Sequence, residues 1–231
     1  SKVGKNDGRP KRQRQRLGRS NRRIMIELNE TFSTTMVLED VIIPNTWTLT
    51  VNLIPNNGKN KLYTKAMDRI QYYIQEVLEN SIFIGAHNLS KIIDLPFKAQ
   101  VHVFPDDPWD HLVAMCLYTK FNAICEKVFF VDNITINSSQ ARNVSHSFSE
   151  DQGGNDNLHT LFSDEPDIEQ YVKYWYKPSP QLFLLHEGLS LVDQNWGEAD
   201  LAYVENTAGN TVVTLKECKK KPPKGDNDDH A

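Results

Sequence analysis

Between Thr46 and Ile136 the spacing of apolar residues switches between two and about 3.6, and this alternation constrains the fold of the 231-residue chain more than any other feature. Trp47, Leu49, Val51 and Leu53 share one face of a strand over Thr46 to Ile54, which ends at the turn signal Pro55-Asn56-Asn57-Gly58. Leu62, Ala66, Ile70, Tyr73, Ile74 and Val77 then recur at helical spacing and predict a helix over Leu62 to Asn80. Phe97, Ala99, Val101 and Val103 alternate as a second strand. Asp107 and Pro108 supply the cap and first-turn proline of a second helix. Its buried face is Leu112, Met115, Cys116, Thr119 and Ala123, widened by Val113, Leu117, Phe121 and Ile124. Val128 to Ile136 is a third strand. That order predicts an α+β fold: a compact β-α-β-α-β sandwich, ferredoxin-like where short strands such as Ile82 to Ile84 join it.

The flanks divide by composition. Ser138 to Asp156 is polar and contains Gly153-Gly154, the mark of a mobile loop. Asp164 to Tyr176 reads as a short helix, followed by hairpin strands at Gln181 to Leu185, Leu189 to Val192, Leu201 to Tyr203 and Thr211 to Leu215. The expected organisation is a basic arm over 1–23, disordered unless bound, and an α/β core over 24–137. A mobile loop over 138–157, a helix with C-terminal β-hairpins packed on the core over 158–218, and a disordered tail over 219–231 complete it.

Charge is segregated as sharply as hydrophobicity. The first 23 residues hold ten of the 26 basic residues and only one acid, Asp7, so the remainder carries 16 basic residues against 29 acidic ones. Such a block of like charge cannot bury itself and stays solvated until it meets an anion. Arginine predominates, and its planar fork suits phosphate oxygens. Arg9, Lys11, Arg12, Arg14, Arg16, Arg19, Arg22 and Arg23 are therefore the candidate nucleic-acid contacts, to the phosphate backbone of DNA or RNA. An address signal, a solvated tail or a clamp on the acidic body are the other readings of the same arm. The arm lacks the apolar segment of a secretory signal, and no run approaches the roughly 18 apolar residues of a membrane span.

Three cysteines are too few for a disulfide framework. Cys116 and Cys125 fall on one predicted helix, about 13 Å apart at 1.5 Å rise, too far to bridge. Reduced cytoplasm, or the interior of a particle assembled there, is the expected setting. Without a secretory signal the Asn-x-Ser/Thr triplets at Asn29, Asn88, Asn133, Asn137 and Asn143 are read as coincidence.

Asp200, followed by Glu217-Cys218-Lys219 on a later predicted strand, resembles the hairpin of PD-(D/E)xK nucleases. The resemblance covers about 24 residues. It would make Asp200 and Glu217 metal ligands and Lys219 the residue that helps activate water, with Mg²⁺ as Lewis acid. Lys216 stands where that family places an apolar residue, and the helix and strand that follow its motif are missing. Phe129-Phe130-Val131-Asp132-Asn133-Ile134 resembles the first conserved strand of RNA-recognition motifs, yet it follows two helices and reads as a core strand. Asp106, Asp107, Asp110 and His111, with His102 nearby, hold metal-ligand chemistry that a helix start also explains: Asp107 caps and Asp110 meets the positive dipole end. His87, His146, His159, His186 and His230 show no ligand spacing.

Asp164, Glu165, Asp167 and Glu169 precede Tyr171, Tyr174, Trp175 and Tyr176, and acids beside aromatics suit a protein-docking surface. Tyr171, Tyr174 and Trp175 are its candidate partner-binding residues. The combined expectation is a non-enzymatic nucleic-acid-associated protein without cofactor or metal, docking a protein partner or a second copy. A basic arm on an acidic body resembles virion and nucleoprotein components of viruses and phages. The alternatives are the Mg²⁺-dependent nuclease and a protein–protein adaptor whose arm is an address signal.

Overall fold

A computed structural model describes residues 24–39, 41–149, 158–162, 168–197, 199 and 201. The fold is mixed α+β, built on one eight-stranded sheet in the order β6-β5-β2-β1-β3-β4-β7-β8. β1 (Ile26–Leu38) and β2 (Val41–Pro55) form a long hairpin with Leu38 opposite Val41 and Ile26 opposite Leu53. β3 (Ser81–Gly85) lies parallel to β1, and β4 (Ala99–Phe104) parallel to β3. β5 (Phe129–Ser138) runs antiparallel to β2 with a bulge at Asp132, where Asn52 and Leu53 face Asn133 and Val131. β6 (His146–Ser149) and the hairpin of β7 (Leu182–Leu185) and β8 (Leu189–Val192) form the sheet edges.

α1 (Tyr63–Tyr72), continued by a π-helical turn over Tyr73–Leu78, packs with α2 (Asp110–Cys125) on one face of the sheet. α3 (Leu158–Leu161) and α4 (Ile168–Tyr176) follow β6. The apolar stripe expected of the first helix is the one buried: Ala66, Ile70, Ile74 and Val77 are enclosed.

The sheet has two characters. On β1, β2 and β5 inward Phe32, Trp47, Leu49, Val51 and Ile136 alternate with outward Asn29, Thr31, Thr48 and Thr50, so one face is core and the other polar. On β3 and β4, residues of both parities are buried: Phe83 and His102 on one face, Ile84 and Val103 on the other. The connection from β3 to β4 supplies the buried Ile92.

Three expectations change. Three parallel strands side by side exclude a ferredoxin-like order within the α+β class. The segment expected as a mobile loop over 138–157 contains β6, whose Phe148 packs on Tyr118 of α2. Strand β1 and the first five residues of β2 went unread, because Leu28, Phe32 and Met36 recur at spacing four, while Thr34 sits inside as acceptor for Trp47 Nε1 at 2.7 Å.

Candidate nucleic-acid interface

The register of β1 sets the end of the sheet at which the described chain begins. Ile26 pairs with Leu53, at the end where β2 finishes at Pro55 and β5 starts at Phe129. At that end the turn after β2 is clasped to the turn after α2. Asn56 N–H donates to Val128 O at 3.0 Å and Asn56 Nδ2 to Lys127 O at 2.9 Å, while Lys59 Nζ donates to Glu126 O at 2.9 Å. Glu126 and Lys127 both take the left-handed backbone conformation that ends α2 and turns the chain into β5.

Segments 56–70 and 122–128 together carry Lys59, Lys61, Lys65, Arg69 and Lys127 against Asp68 and Glu126. Between them lies a cleft of about 250 Å³, lined by Lys59, Lys65, Arg69 and Glu126 over Leu62, Ala66, Ile124, Cys125 and Val128. Arg69 is buried: it pairs with Glu126, and its guanidinium sits 4.9 Å from the Trp196 ring centre. Trp196 is held by Pro178 O at 2.9 Å and by an edge contact with Tyr72. Burial, then the Arg69 charge, lowers the Lys65 ammonium, and Glu126 raises it. Glu126 answers part of this positive charge; Lys61 and Lys127 stay exposed. An anion would meet cations on the cleft wall and an apolar floor.

The opposite end of the sheet carries opposite charge. Asp106 and Asp107 follow β4, and Asp110 opens α2, whose positive dipole end they face. Asp107 does not cap α2. The cap position is Trp109, without a side-chain bond, and the buried Asp107 carboxylate accepts Asn88 Nδ2 at 2.8 Å. Trp109 N–H bonds Asp107 O at 2.6 Å in a tight turn around Pro108, and Trp109 itself is extended, so the helix begins at Asp110, two residues late.

Of the expected site residues, Arg9, Lys11, Arg12, Arg14, Arg16, Arg19, Arg22 and Arg23 lie outside the described residues. So do Asp200, Glu217 and Lys219 of the nuclease resemblance, and the predicted strands over 202–215. Tyr174 and Trp175 are not a docking surface; both are fully buried. Tyr174 Oη bonds Tyr73 Oη at 2.7 Å and His102 Nδ1 at 2.8 Å, and Trp175 Nε1 donates to Val103 O at 2.9 Å. Tyr171 is half-buried against Phe183. The α4 sequence reads as an interface because its core partners are polar groups from the π-helical turn after α1 and from β4, both distant in sequence.

Beneath α4, Lys120 Nζ is buried and donates to the carbonyls of Tyr174, Lys177 and Ser179 at 3.0, 2.9 and 3.1 Å. Burial pulls this ammonium down to about 7, while three carbonyls and the Tyr174 ring face hold its proton. It ties α2 to the end of α4. Cys116 and Cys125 both sit on α2 as buried free thiols, and burial raises both.

No protein-family model and no curated protein matches the chain. Among solved structures, an uncharacterized protein from Wolinella succinogenes is 11% identical with a TM-score of 0.38, spanning 55% of this chain and 97% of its own. A catalytic-residue mutant of Plasmodium vivax 6-pyruvoyltetrahydropterin synthase is 7% identical with a TM-score of 0.34, spanning 54% and 96%. Scores of that size carry no argument about activity, site or partner. Among the described residues no helix is long and apolar enough to cross a membrane.

Proposed function

We propose that this protein is a non-enzymatic nucleic-acid-binding protein. The arm (Arg9, Lys11, Arg12, Arg14, Arg16, Arg19, Arg22 and Arg23) holds phosphates, and Lys59, Lys61, Lys65 and Lys127 of the body continue that contact. One observation supports the reading: the pairing of Ile26 with Leu53 starts the described chain at the sheet end where the body's own cations gather. Contact of this kind is made to the backbone of DNA or RNA and reads no sequence. The acidic far end repels phosphate and keeps the nucleic acid at one pole of the body.

Retention of labelled DNA and RNA by the full chain, with and without the arm's arginines changed to glutamine, tests the proposal. Retention that is steeply salt-dependent and lost in the neutralised arm supports it. Retention unchanged in that variant would sink it. Incubation with Mg²⁺ is expected to leave both nucleic acids intact, and Asp200→Ala to leave retention unchanged.

A further inference from the structure

β5 carries more apolar surface than the core takes up. Phe129, Val131, Ile134 and Ile136 are buried, and the bulge at Asp132 keeps all four on the inner face. Phe130 points the other way and is 48% exposed. Its cross-strand partner on β2 is Ile54. One position beyond the pairing of Ile26 with Leu53, the same register sets Met25, 55% exposed, beside Ile54. Directly opposed residues of antiparallel strands share a face. Met25, Ile54 and Phe130 therefore form an apolar row across three strands, on the face opposite the core, where the sheet is otherwise polar.

The charges around this row indicate its occupant. Lys127, exposed, lies three residues before Phe130 in the turn that opens β5, and Lys59 and Lys61 belong to the segment clasped to that turn. In the sequence Arg22 and Arg23 stand three and two positions before Met25. On the other side the adjoining row is Glu27, Asn52 and Asn133, with Asp132 in the bulge. Those two acids turn phosphate away from the middle of the sheet and toward its cationic end. Asn52 Nδ2 donates to Asn133 Oδ1 at 2.9 Å and Asn133 Nδ2 to Asp132 Oδ2 at 3.2 Å, so these amides are engaged with their neighbours rather than aimed at base edges. An uncharged apolar partner gains nothing from the cations, and a simple anion gains nothing from the row. A nucleotide chain has the matching division, with apolar base faces beside charged phosphates. A duplex hides those faces in its own stack, whereas a single strand exposes them.

We propose that Phe130, flanked by Ile54 and Met25, stacks an unpaired base, and that the nucleic acid this protein holds is single-stranded. The inference rests on the nucleic-acid reading above and adds the form of the ligand. The arm and Lys127 attract phosphate of either form; the apolar row favours the strand whose bases are open. Every base has a π-face, so the contact is tolerant of sequence.

Titration of the full chain with a labelled single-stranded oligonucleotide, and separately with the duplex of the same sequence, tests the inference. The parent is expected to bind the single strand more tightly. Phe130→Ala should cost about tenfold on the single strand and under about twofold on the duplex, and Phe130→Trp should keep the parent's preference. Ile42→Ser, at an equally exposed position near the opposite end of β2, should change neither affinity. Phe130 is exposed enough that Phe130→Ala should melt like the parent, which separates lost binding from lost fold. A parent that prefers duplex, or a Phe130→Ala variant that loses nothing or loses equally on both, would overturn the stacking and leave the nucleic-acid reading standing. A parent that binds neither would overturn both. A parent dimer that Phe130→Ala dissociates in sedimentation would also overturn the stacking, by giving the row to a second copy of the chain.

Discussion

The two poles of the sheet are built from different strands and hold opposite chemistry. At one, the antiparallel strands β1, β2 and β5 meet the C-terminal end of α2, where Lys59, Lys61, Lys65 and Lys127 lie beside the buried Arg69, which pairs with Glu126. At the other, the parallel strands β3 and β4 meet the N-terminal end of α2 and present His87, Asp106, Asp107 and Asp110. Each set of side chains has the sign that the nearer end of the α2 dipole favours. A net charge of −4 therefore describes neither pole. The lesson is that a body acidic in total still offers phosphate a cationic face, provided the acids lie elsewhere.

The largest effect is expected from the arm. Changing Arg9, Arg12, Arg14, Arg16, Arg19, Arg22 and Arg23 to glutamine should cost about a thousandfold in affinity near physiological salt, since roughly six to eight phosphate contacts disappear. Filter retention across a salt series reads this directly. A loss under about threefold would shift the whole interface onto the body.

Next in size are two stability effects, one for the scaffold behind each pole. His102 on β4 is buried neutral, its imidazole pushed down to about 4 by burial, with Lys120 adding to the shift and a hydrogen bond to Val77 O opposing it. Its folded value lies below the unfolded value near 6.5, so the stability it contributes is complete above 6.5 and is lost as pH falls toward 4. The loss is of order 3 kcal/mol, measurable by denaturant melts at pH 7 and pH 4.5. His102→Gln should flatten that part of the profile. Ile70→Ala, on the helix that carries Lys65 and Arg69, should cost about 3 kcal/mol, because Ile70 is fully enclosed. A change under about 0.5 kcal/mol would mean that the α1 face is not core.

How much of this was legible in the sequence follows from which forces are local. Ala66, Ile70, Ile74 and Val77 could be read because helical burial repeats at a fixed spacing. β3 and β4 were harder: strands buried on both faces lose the period-two signal, and only Phe97 to Val103 showed it. Tyr174 and Trp175 misled because Tyr73, His102 and Val103, the groups that satisfy their polar atoms, arrive from elements 70 or more residues away. The cationic pole was missed for the same reason: Lys59 and Lys127 are 68 positions apart and meet only through the clasp of Asn56 on the α2–β5 turn. His87 carries no ligand spacing in the sequence; a parallel register brings it to Asp106.

In the proposed function the body's cationic pole continues the contact begun by the arm. The most direct test is the salt dependence of nucleic-acid affinity in Lys59→Ala/Lys65→Ala/Lys127→Ala, with the arm intact, beside Asp106→Asn at the other pole. Each phosphate-bound cation contributes about 0.9 to the slope of log K against log salt on duplex DNA, so the triple variant should bind about tenfold to thirtyfold more weakly with a slope shallower by about 2 to 3. Asp106→Asn should leave affinity and slope within error of the parent. A triple variant with unchanged slope would contradict the claim and leave the arm acting alone.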